Sequence, residues 1–94
     1  MTVIWSWQAV AELVEIRAHL QQFDTAATRR FVERVRETTA DLEQFPRLGR
    51  QGRRRGEREK PIGGTPWILV YRETAGGVEI IHIWGGRRDL PRKA

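Results

Sequence analysis

The sequence predicts an α+β fold with the element order β-α-α-β-β-β, in which a helical hairpin packs on one face of a small, mainly antiparallel sheet. Apolar residues in the first half recur at the three- and four-residue steps of amphipathic helices. The second half holds two apolar, strand-like segments joined by Ala75-Gly76-Gly77. Because 94 residues suit one domain and show no internal repeat, we expect a single domain at residues 1–94.

The first half of the chain predicts a short strand and then two helices. Thr2–Trp5 is the expected strand, and Ser6 is the expected N-cap of a helix over residues 8–22. Asp24 interrupts the helical pattern and can cap a second helix, which Pro46 ends. The apolar face of this second helix has the clearest periodicity in the chain: Ala27, Phe31, Val35, Thr38, Leu42 and Phe45. The short connection predicts an antiparallel hairpin.

Three more strands are expected after the helices. Residues 57–62 have a weak strand pattern, in which Glu57 and Glu59 alternate with basic residues and suggest cross-strand salt bridges. Residues 67–72 are apolar on both faces, which is typical of a central strand. The glycines at 76 and 77 predict a hairpin connection to the last strand, residues 78–84.

Positive charge is concentrated in two segments. Residues 47–60 carry seven Lys or Arg against two Asp or Glu, and residues 87–94 carry four against one, within a total net charge of +5. Such blocks favour an acidic partner, which can be a nucleic acid, an acidic protein or a negatively charged peptide. A solvated arginine loop that improves solubility is the alternative.

The composition excludes several classes of site. The chain has no cysteine, so it has no disulfide framework and no thiolate metal site. We expect no metal and no cofactor. We also expect a cytoplasmic location, because an absence of cysteine fits a reducing compartment. No apolar run approaches the roughly 20 residues of a membrane span, and the first residues lack a signal-peptide pattern, so we expect no membrane association.

Short motifs follow one another along nearly the whole chain. They are Val3-Ile4-Trp5-Ser6, Arg30-Phe31-Val32-Glu33, Phe45-Pro46-Arg47-Leu48-Gly49-Arg50, Gly56-Glu57-Arg58-Glu59, Gly64-Thr65-Pro66-Trp67, Val70-Tyr71-Arg72 and Arg88-Asp89-Leu90-Pro91. This ordered series resembles the RelE/ParE superfamily of toxins from bacterial type II toxin–antitoxin modules, and most closely the ParE-like branch. The resemblance implies a toxin that an antitoxin encoded beside it neutralises, with operator DNA bound only through the antitoxin.

The resemblance implies two competing mechanisms, of which gyrase inhibition is the first. ParE-like toxins are described as binding DNA gyrase without breaking bonds themselves, and the last strand and tail are thought to make the contact. Arginine and tryptophan are also the residues most enriched in binding hot spots. We therefore expect Arg87, Arg88, Arg92 and Trp84 to bind the target.

The second mechanism is that of the RelE-like toxins, which cut mRNA in the ribosomal A site. RNA cleavage needs a base, an acid and cations at the phosphate. The candidates here are His82, Arg58, Arg87 and Arg88. Alternation places His82 with Ile80 and Trp84 on a mostly apolar strand face, where a hydrogen-bonded core histidine is more common than a catalyst. Without a convincing acid–base pair we assign no catalytic residue and expect a non-catalytic inhibitor.

The antitoxin surface and the basic loop lead to two further expectations. Trp67, Leu69 and Tyr71 share one strand face by alternation. If the helices cover the other face, these three are partly open and can bind an antitoxin segment. The glycine-spaced arginines of residues 47–58 suit phosphate contacts, so direct nucleic-acid binding is a third interpretation, although no recognition helix is present.

Overall fold

Two helices and five strands follow one another in the order β-α-α-β-β-β-β. The structure is a computed structural model and describes residues 2–85, so the predictions for Arg87, Arg88 and Arg92 lie outside the described residues. The elements are β1 (Thr2–Trp5), α1 (Trp7–Phe23), α2 (Thr25–Gln44), β2 (Arg50–Gln51), β3 (Arg58–Pro61), β4 (Trp67–Thr74) and β5 (Gly77–Gly85). The helices pack against one mixed sheet, which confirms the predicted α+β class.

Side-chain caps separate the two helices as the sequence predicts. The Ser6 hydroxyl accepts a hydrogen bond from the Ala9 amide at 3.0 Å and starts α1. Asp24 ends α1, and its carboxylate accepts from the Ala26 amide at 2.9 Å and the Ala27 amide at 3.1 Å to start α2. One residue therefore ends one helix and caps the next, which makes the hairpin turn very short.

The predicted periodicity of α2 is confirmed by its packing from Phe31 to Leu42, whereas Phe45, expected on the same face, is exposed beyond the end of the helix. Phe31, Val35, Thr38 and Leu42 are all buried, at steps of four, three and four residues. α1 is less deeply buried, since Ala9 is its one fully buried residue and Leu13 is only partly covered. The core therefore lies mainly between α2 and the central strands.

The sheet has the strand order β1-β5-β4-β3-β2, with β4 at its centre. β1 runs parallel to β5, and the other three pairings are antiparallel. The sheet has one strand more than predicted, because Arg50 and Gln51 pair with Glu59 and Arg58 to form β2. Two residues are too few to produce a recognisable strand pattern in the sequence.

A β-bulge in β5 decides which side chains face the helices. Val70 lies opposite His82, whereas Tyr71 lies opposite Ile80, so Ile81 is an extra residue in β5. The alternation of β5 changes phase there. Ile80 therefore joins the core beneath the helices, while His82 shares the uncovered face of the sheet with Val70. The expectation that His82 and Ile80 share a face was wrong for this reason.

The expected exposure of the β4 face was also wrong. Leu69 and Tyr71 are completely buried and belong to the core cluster under the helices. Trp67 is half-buried, and its ring meets Phe31 of α2 edge-on at 5.2 Å. The helices cover this face and not the opposite one, so of the three residues only Trp67 presents side-chain surface to a partner.

The Tyr71 hydroxyl fastens the segment that follows α2. It donates a hydrogen bond to the Pro46 carbonyl at 2.7 Å and accepts one from the Gly49 amide at 2.8 Å. A Cβ atom at position 49 would lie 2.8 Å from this hydroxyl, so the approach requires glycine. Burial raises the pKa of the Tyr71 hydroxyl above its usual value of 10.0, which keeps it protonated as a donor.

We expect Tyr71→Phe to lower the free energy of unfolding by about 1–3 kcal/mol, because the buried Gly49 amide and the partly buried Pro46 carbonyl lose their partner. The hydroxyl has a higher pKa folded than unfolded, so its contribution is complete below about pH 10 and is lost as the pH rises through the folded-state pKa. Urea denaturation at neutral and alkaline pH measures both effects.

The ultraviolet absorbance of tyrosinate provides the control, because Tyr71 is the only tyrosine in the chain. Its titration in the folded protein should fall above that in the urea-unfolded protein. An unchanged urea midpoint in Tyr71→Phe would contradict the structural role of the hydroxyl.

Candidate functional site

A row of side chains lies on the uncovered face of the sheet near the end of β5. The His82 and Trp84 rings are stacked, with centroids 5.0 Å apart and an interplanar angle of 25°. The Arg53 guanidinium carbon lies 5.6 Å from the centroid of the Trp84 ring, within cation–π range. We call His82, Trp84 and Arg53, together with Glu12 and Glu59 described next, the β5-end cluster.

Glu12 connects α1 to the β5-end cluster. The Ser6 amide and hydroxyl donate to carbonyls of β5, which brings the first turns of α1 beside the free edge of that strand. The Glu12 carboxylate then accepts a hydrogen bond from the Ile83 amide at 2.8 Å, and its other oxygen lies 3.3 Å from His82 Nδ1. The same oxygen also accepts from Gln8 at 3.1 Å. The carboxylate thereby satisfies an edge amide and orients the imidazole.

Glu59 holds two arginines from the other side of the cluster. It lies on β3 opposite Val70, and its side chain is only 4% exposed. One carboxylate oxygen accepts from Arg50 at 3.1 Å, and the other lies 3.5 Å from Arg53 Nε. The pairing of Arg50 with Glu59 across two strands confirms the predicted cross-strand salt bridge for Glu59, though not, within residues 2–85, for Glu57. Two counter-charges offset the cost of burying this carboxylate.

A second basic feature, which we call the arginine cleft, lies beside this cluster. It is lined by Arg47, Gln51, Gly52, Arg53, Arg54, Arg55, Gly56, Glu57, Arg58 and Glu73. Two hydrogen bonds close its loop, from the Gly52 amide to the Glu57 carbonyl at 2.7 Å and from the Glu57 amide to the Arg54 carbonyl at 3.1 Å. The loop turns at Gly56, whose φ of 82° favours glycine.

The structure brings together only some of the predicted site residues. His82 and Trp84 are in contact, as their places in one strand suggest. Arg58 lies opposite Tyr71 and so points to the other face of the sheet, where it donates to the Gly49 carbonyl at 2.9 Å. His82 and Arg58 therefore do not converge. The target-binding role predicted for Arg87, Arg88 and Arg92 falls on residues outside the described range.

Three members of the cluster were not predicted. Glu12 is 70 residues from His82 in the sequence, and no local pattern connects them. Arg53 was one of three consecutive arginines with nothing to distinguish it. Glu59 was expected to form a salt bridge but not to be buried. Within residues 2–85, no cluster of three or more potential metal ligands occurs, and no helix is long and apolar enough to cross a membrane.

Comparison with known proteins assigns the family. A family model described as the ParE toxin of the type II toxin–antitoxin system, parDE, matches residues 3–90. The chain therefore belongs to the ParE toxin family of type II toxin–antitoxin systems, which confirms the resemblance drawn from the sequence motifs. The match covers both helices and every strand described above.

Individual relatives support the same assignment. The protein named Putative toxin Y4kP from Sinorhizobium fredii is 31% identical over 88 residues, covering 94% of this chain and 91% of that protein. Toxin RelE2 from Caulobacter vibrioides is 28% identical over 81 residues, covering 86% and 90%. A chain of the chromosomal ParDE toxin–antitoxin system from P. aeruginosa has a TM-score of 0.79 at 22% identity, over 90% of this chain and 95% of that chain. This last likeness shows the shared fold.

Removing the arginines that face Glu59 should destabilise the fold more than neutralising Glu59 itself. In Arg50→Ala/Arg53→Ala the buried carboxylate loses both counter-charges, and we expect a loss of about 1–3 kcal/mol in the free energy of unfolding. In Glu59→Gln the two guanidinium groups remain more than half exposed and hydrated, so we expect less than about 1 kcal/mol. Urea denaturation compares the two variants.

The triple variant Arg50→Ala/Arg53→Ala/Glu59→Gln is the matched control. It should recover much of the stability lost in the double variant, because no unpaired charge remains buried. Equal losses in the double and triple variants would show that the arginines act through packing and not through the carboxylate.

Proposed function

We propose that this chain is the toxin of a type II toxin–antitoxin pair and that the free toxin inhibits DNA gyrase by binding, without bond-breaking chemistry. The family match over residues 3–90 supports the toxin role. The observation that carries the target assignment is the end of β5, where Trp84 packs with Arg53 and is followed in the sequence by Arg87 and Arg88. Tryptophan and arginine in one place are the usual composition of a binding hot spot.

The contacts of the β5-end cluster favour binding over catalysis. A general base needs a free lone pair within reach of the proton that it removes. The Glu12 carboxylate is instead engaged by the Ile83 amide, the Gln8 side chain and the His82 ring. Arg58 points to the opposite face of the sheet. These side chains therefore order the end of β5 and do not form an evident proton-transfer pair around a phosphate.

The helical hairpin offers a surface for the antitoxin, which we propose as the partner. Trp7 and Val14 of α1 point outward and are 89% and 57% exposed. Val14 lines a groove between the helices together with Leu13, Val32, Arg17, Arg29 and neighbouring residues. Exposed apolar helix faces of this kind mark partner surfaces. An antitoxin segment with alternating apolar and acidic residues would match both the groove and its arginines.

Trp67 remains the one residue of the predicted β4 set that can contact an antitoxin directly. It lines a second groove with Leu20, Phe31 and two arginines of α2, Arg30 and Arg34. We propose that this groove extends the antitoxin surface around the hairpin. Leu69 and Tyr71, being fully buried, belong to the core and not to this surface.

Ribosome-dependent cleavage of mRNA is the second candidate function, and one specific contact favours it. The 3.3 Å approach of the Glu12 carboxylate to His82 Nδ1 orients an imidazole that is 23% exposed. A carboxylate–imidazole pair is a common way to prepare a histidine for proton transfer. The Arg53 guanidinium lies against the Trp84 ring and its carboxylate partner is Glu59, so a phosphate beside the imidazole would need further cations to hold it.

A gyrase assay tests the first proposal. We expect the purified toxin to abolish DNA supercoiling at near-stoichiometric concentration. Arg87→Ala/Arg88→Ala should raise the concentration for half-inhibition by about 30-fold, since losing a hot spot costs about 2 kcal/mol of binding free energy. The supercoiling of a relaxed plasmid, measured over a toxin titration, gives both values.

Arg29→Ala/Arg36→Ala is the matched control, because it removes the same charge from two exposed positions of α2. It should leave the half-inhibiting concentration within about two-fold. If the toxin arrests growth but supercoiling is unaffected, the gyrase assignment is wrong. In that case cleavage of mRNA on purified ribosomes, lost in both His82→Gln and Glu12→Gln with unchanged melting temperature, would establish the second candidate.

A further inference from the structure

We infer that the arginine cleft is a binding site for the phosphodiester backbone of a nucleic acid, independent of its base sequence. Five arginines line the cleft against only two glutamates. This inference does not depend on gyrase inhibition, since it rests on the loop between β2 and β3 and not on the end of β5. It extends the proposed function by giving the toxin a second contact, made to a polyanion.

Two of the arginines are unengaged within the part of the chain that the structure describes. Arg47 pairs with Glu73 at 3.1 Å, Arg53 with Glu59 at 3.5 Å, and Arg58 donates to a backbone carbonyl. Arg54 and Arg55 are exposed, and their guanidinium groups make no hydrogen bond or ion pair to residues 2–85. Arg54 and Arg55 are therefore available to bind a phosphate, and the other three arginines contribute to the positive potential around it.

The loop that carries Arg54 and Arg55 is held in shape before any ligand arrives. Its two backbone hydrogen bonds join residues 52 to 57 and 54 to 57. Arg53, next in sequence to Arg54, is fixed between the buried Glu59 carboxylate and the Trp84 ring. A pre-formed loop loses less conformational entropy on binding than a free one, which raises affinity for the same contacts.

The lining of the cleft favours a nucleic acid over an acidic peptide. None of the residues that line it is apolar; they are arginines, glutamates, glycines and one glutamine. Arginine clusters can also bind acidic peptides, but hot spots in protein interfaces are usually apolar or aromatic anchors, and this cleft has no apolar lining to receive them. A phosphodiester backbone needs charge, guanidinium donors and room for close approach, and the space beside Gly56 is open, since a Cβ there would meet no atom within 4 Å.

DNA and RNA present the same phosphodiester chemistry, so the experiment includes both. Fluorescence anisotropy of labelled 20-residue oligonucleotides is measured with the full chain, using single-stranded DNA, duplex DNA and single-stranded RNA at several salt concentrations. We expect binding to all three at low salt. Arg54→Ala/Arg55→Ala should weaken it at least 10-fold and reduce the slope of log affinity against log salt by about 1.8 for the duplex and about 1.4 for single strands.

Two variants with the same loss of charge separate the cleft from general attraction. Arg36→Ala/Arg72→Ala, at two exposed positions outside the cleft and both proposed antitoxin grooves, should change affinity by less than about two-fold. In the Arg87→Ala/Arg88→Ala variant, adding Arg54→Ala/Arg55→Ala should weaken binding by the same factor as it does in the wild-type chain. Because the guanidinium groups of Arg54 and Arg55 make no hydrogen bond or ion pair within residues 2–85, replacing them by alanine should leave the melting temperature unchanged.

Three results would overturn the inference. The wild-type chain could fail to bind any of the oligonucleotides at low salt. All double variants could lose affinity equally, which would mean that net charge alone attracts nucleic acid. An acidic peptide of matched charge could displace the oligonucleotide as effectively as unlabelled DNA, which would mean that the cleft does not prefer phosphate. The anisotropy assay contains no gyrase and no ribosome, so its outcome does not depend on the outcome of the supercoiling assay.

Discussion

The extra residue at Ile81 is the constraint on which the rest of the site depends. Without it, strict alternation would place His82 on the same side as Ile80, beneath the helices. With it, Ile80 and Ile83 both reach the core, and His82 and Trp84 stack on the open face. The bulge thus lets one strand complete the core and also display an aromatic pair. Bulges are known to re-aim side chains beside functional sites in this way.

The β5-end cluster connects three parts of the chain that are far apart in sequence. Glu12 comes from the first helix, the two rings from the last strand, and Arg53 and Glu59 from the region between them. The contacts form a chain: Glu12 contacts His82, the His82 ring stacks on Trp84, Trp84 contacts Arg53, and Arg53 pairs with the buried Glu59 carboxylate. The arrangement places an ordered aromatic and cationic surface next to the arginine cleft, so contacts to a protein and to a polyanion would lie side by side.

Local patterns predicted the fold well, and non-local contacts explain what was missed. The spacing of Phe31, Val35 and Leu42 defines α2, and the Asp24 cap defines the hairpin, because both signals lie within a few residues. β2 is two residues long and exists only through its pairing with β3. The bulge was not predictable because Ile80, Ile81 and Ile83 suit either side of the sheet. The sequence also did not show which face of the sheet the helices cover, which is why Leu69 and Tyr71 were wrongly expected to be exposed.

The parallel pairing of β1 with β5 has a consequence for the order of folding. The first strand can complete its hydrogen bonds only after the last strand of the sheet has been made, because Val3 pairs with Val78 across most of the chain. Contacts between such distant residues close a large loop and slow folding. During synthesis the helical hairpin can form early, while the sheet face that carries His82 and Trp84 cannot. A nascent chain would therefore present the helical surface that we propose for the antitoxin before the sheet surface that we propose for the target.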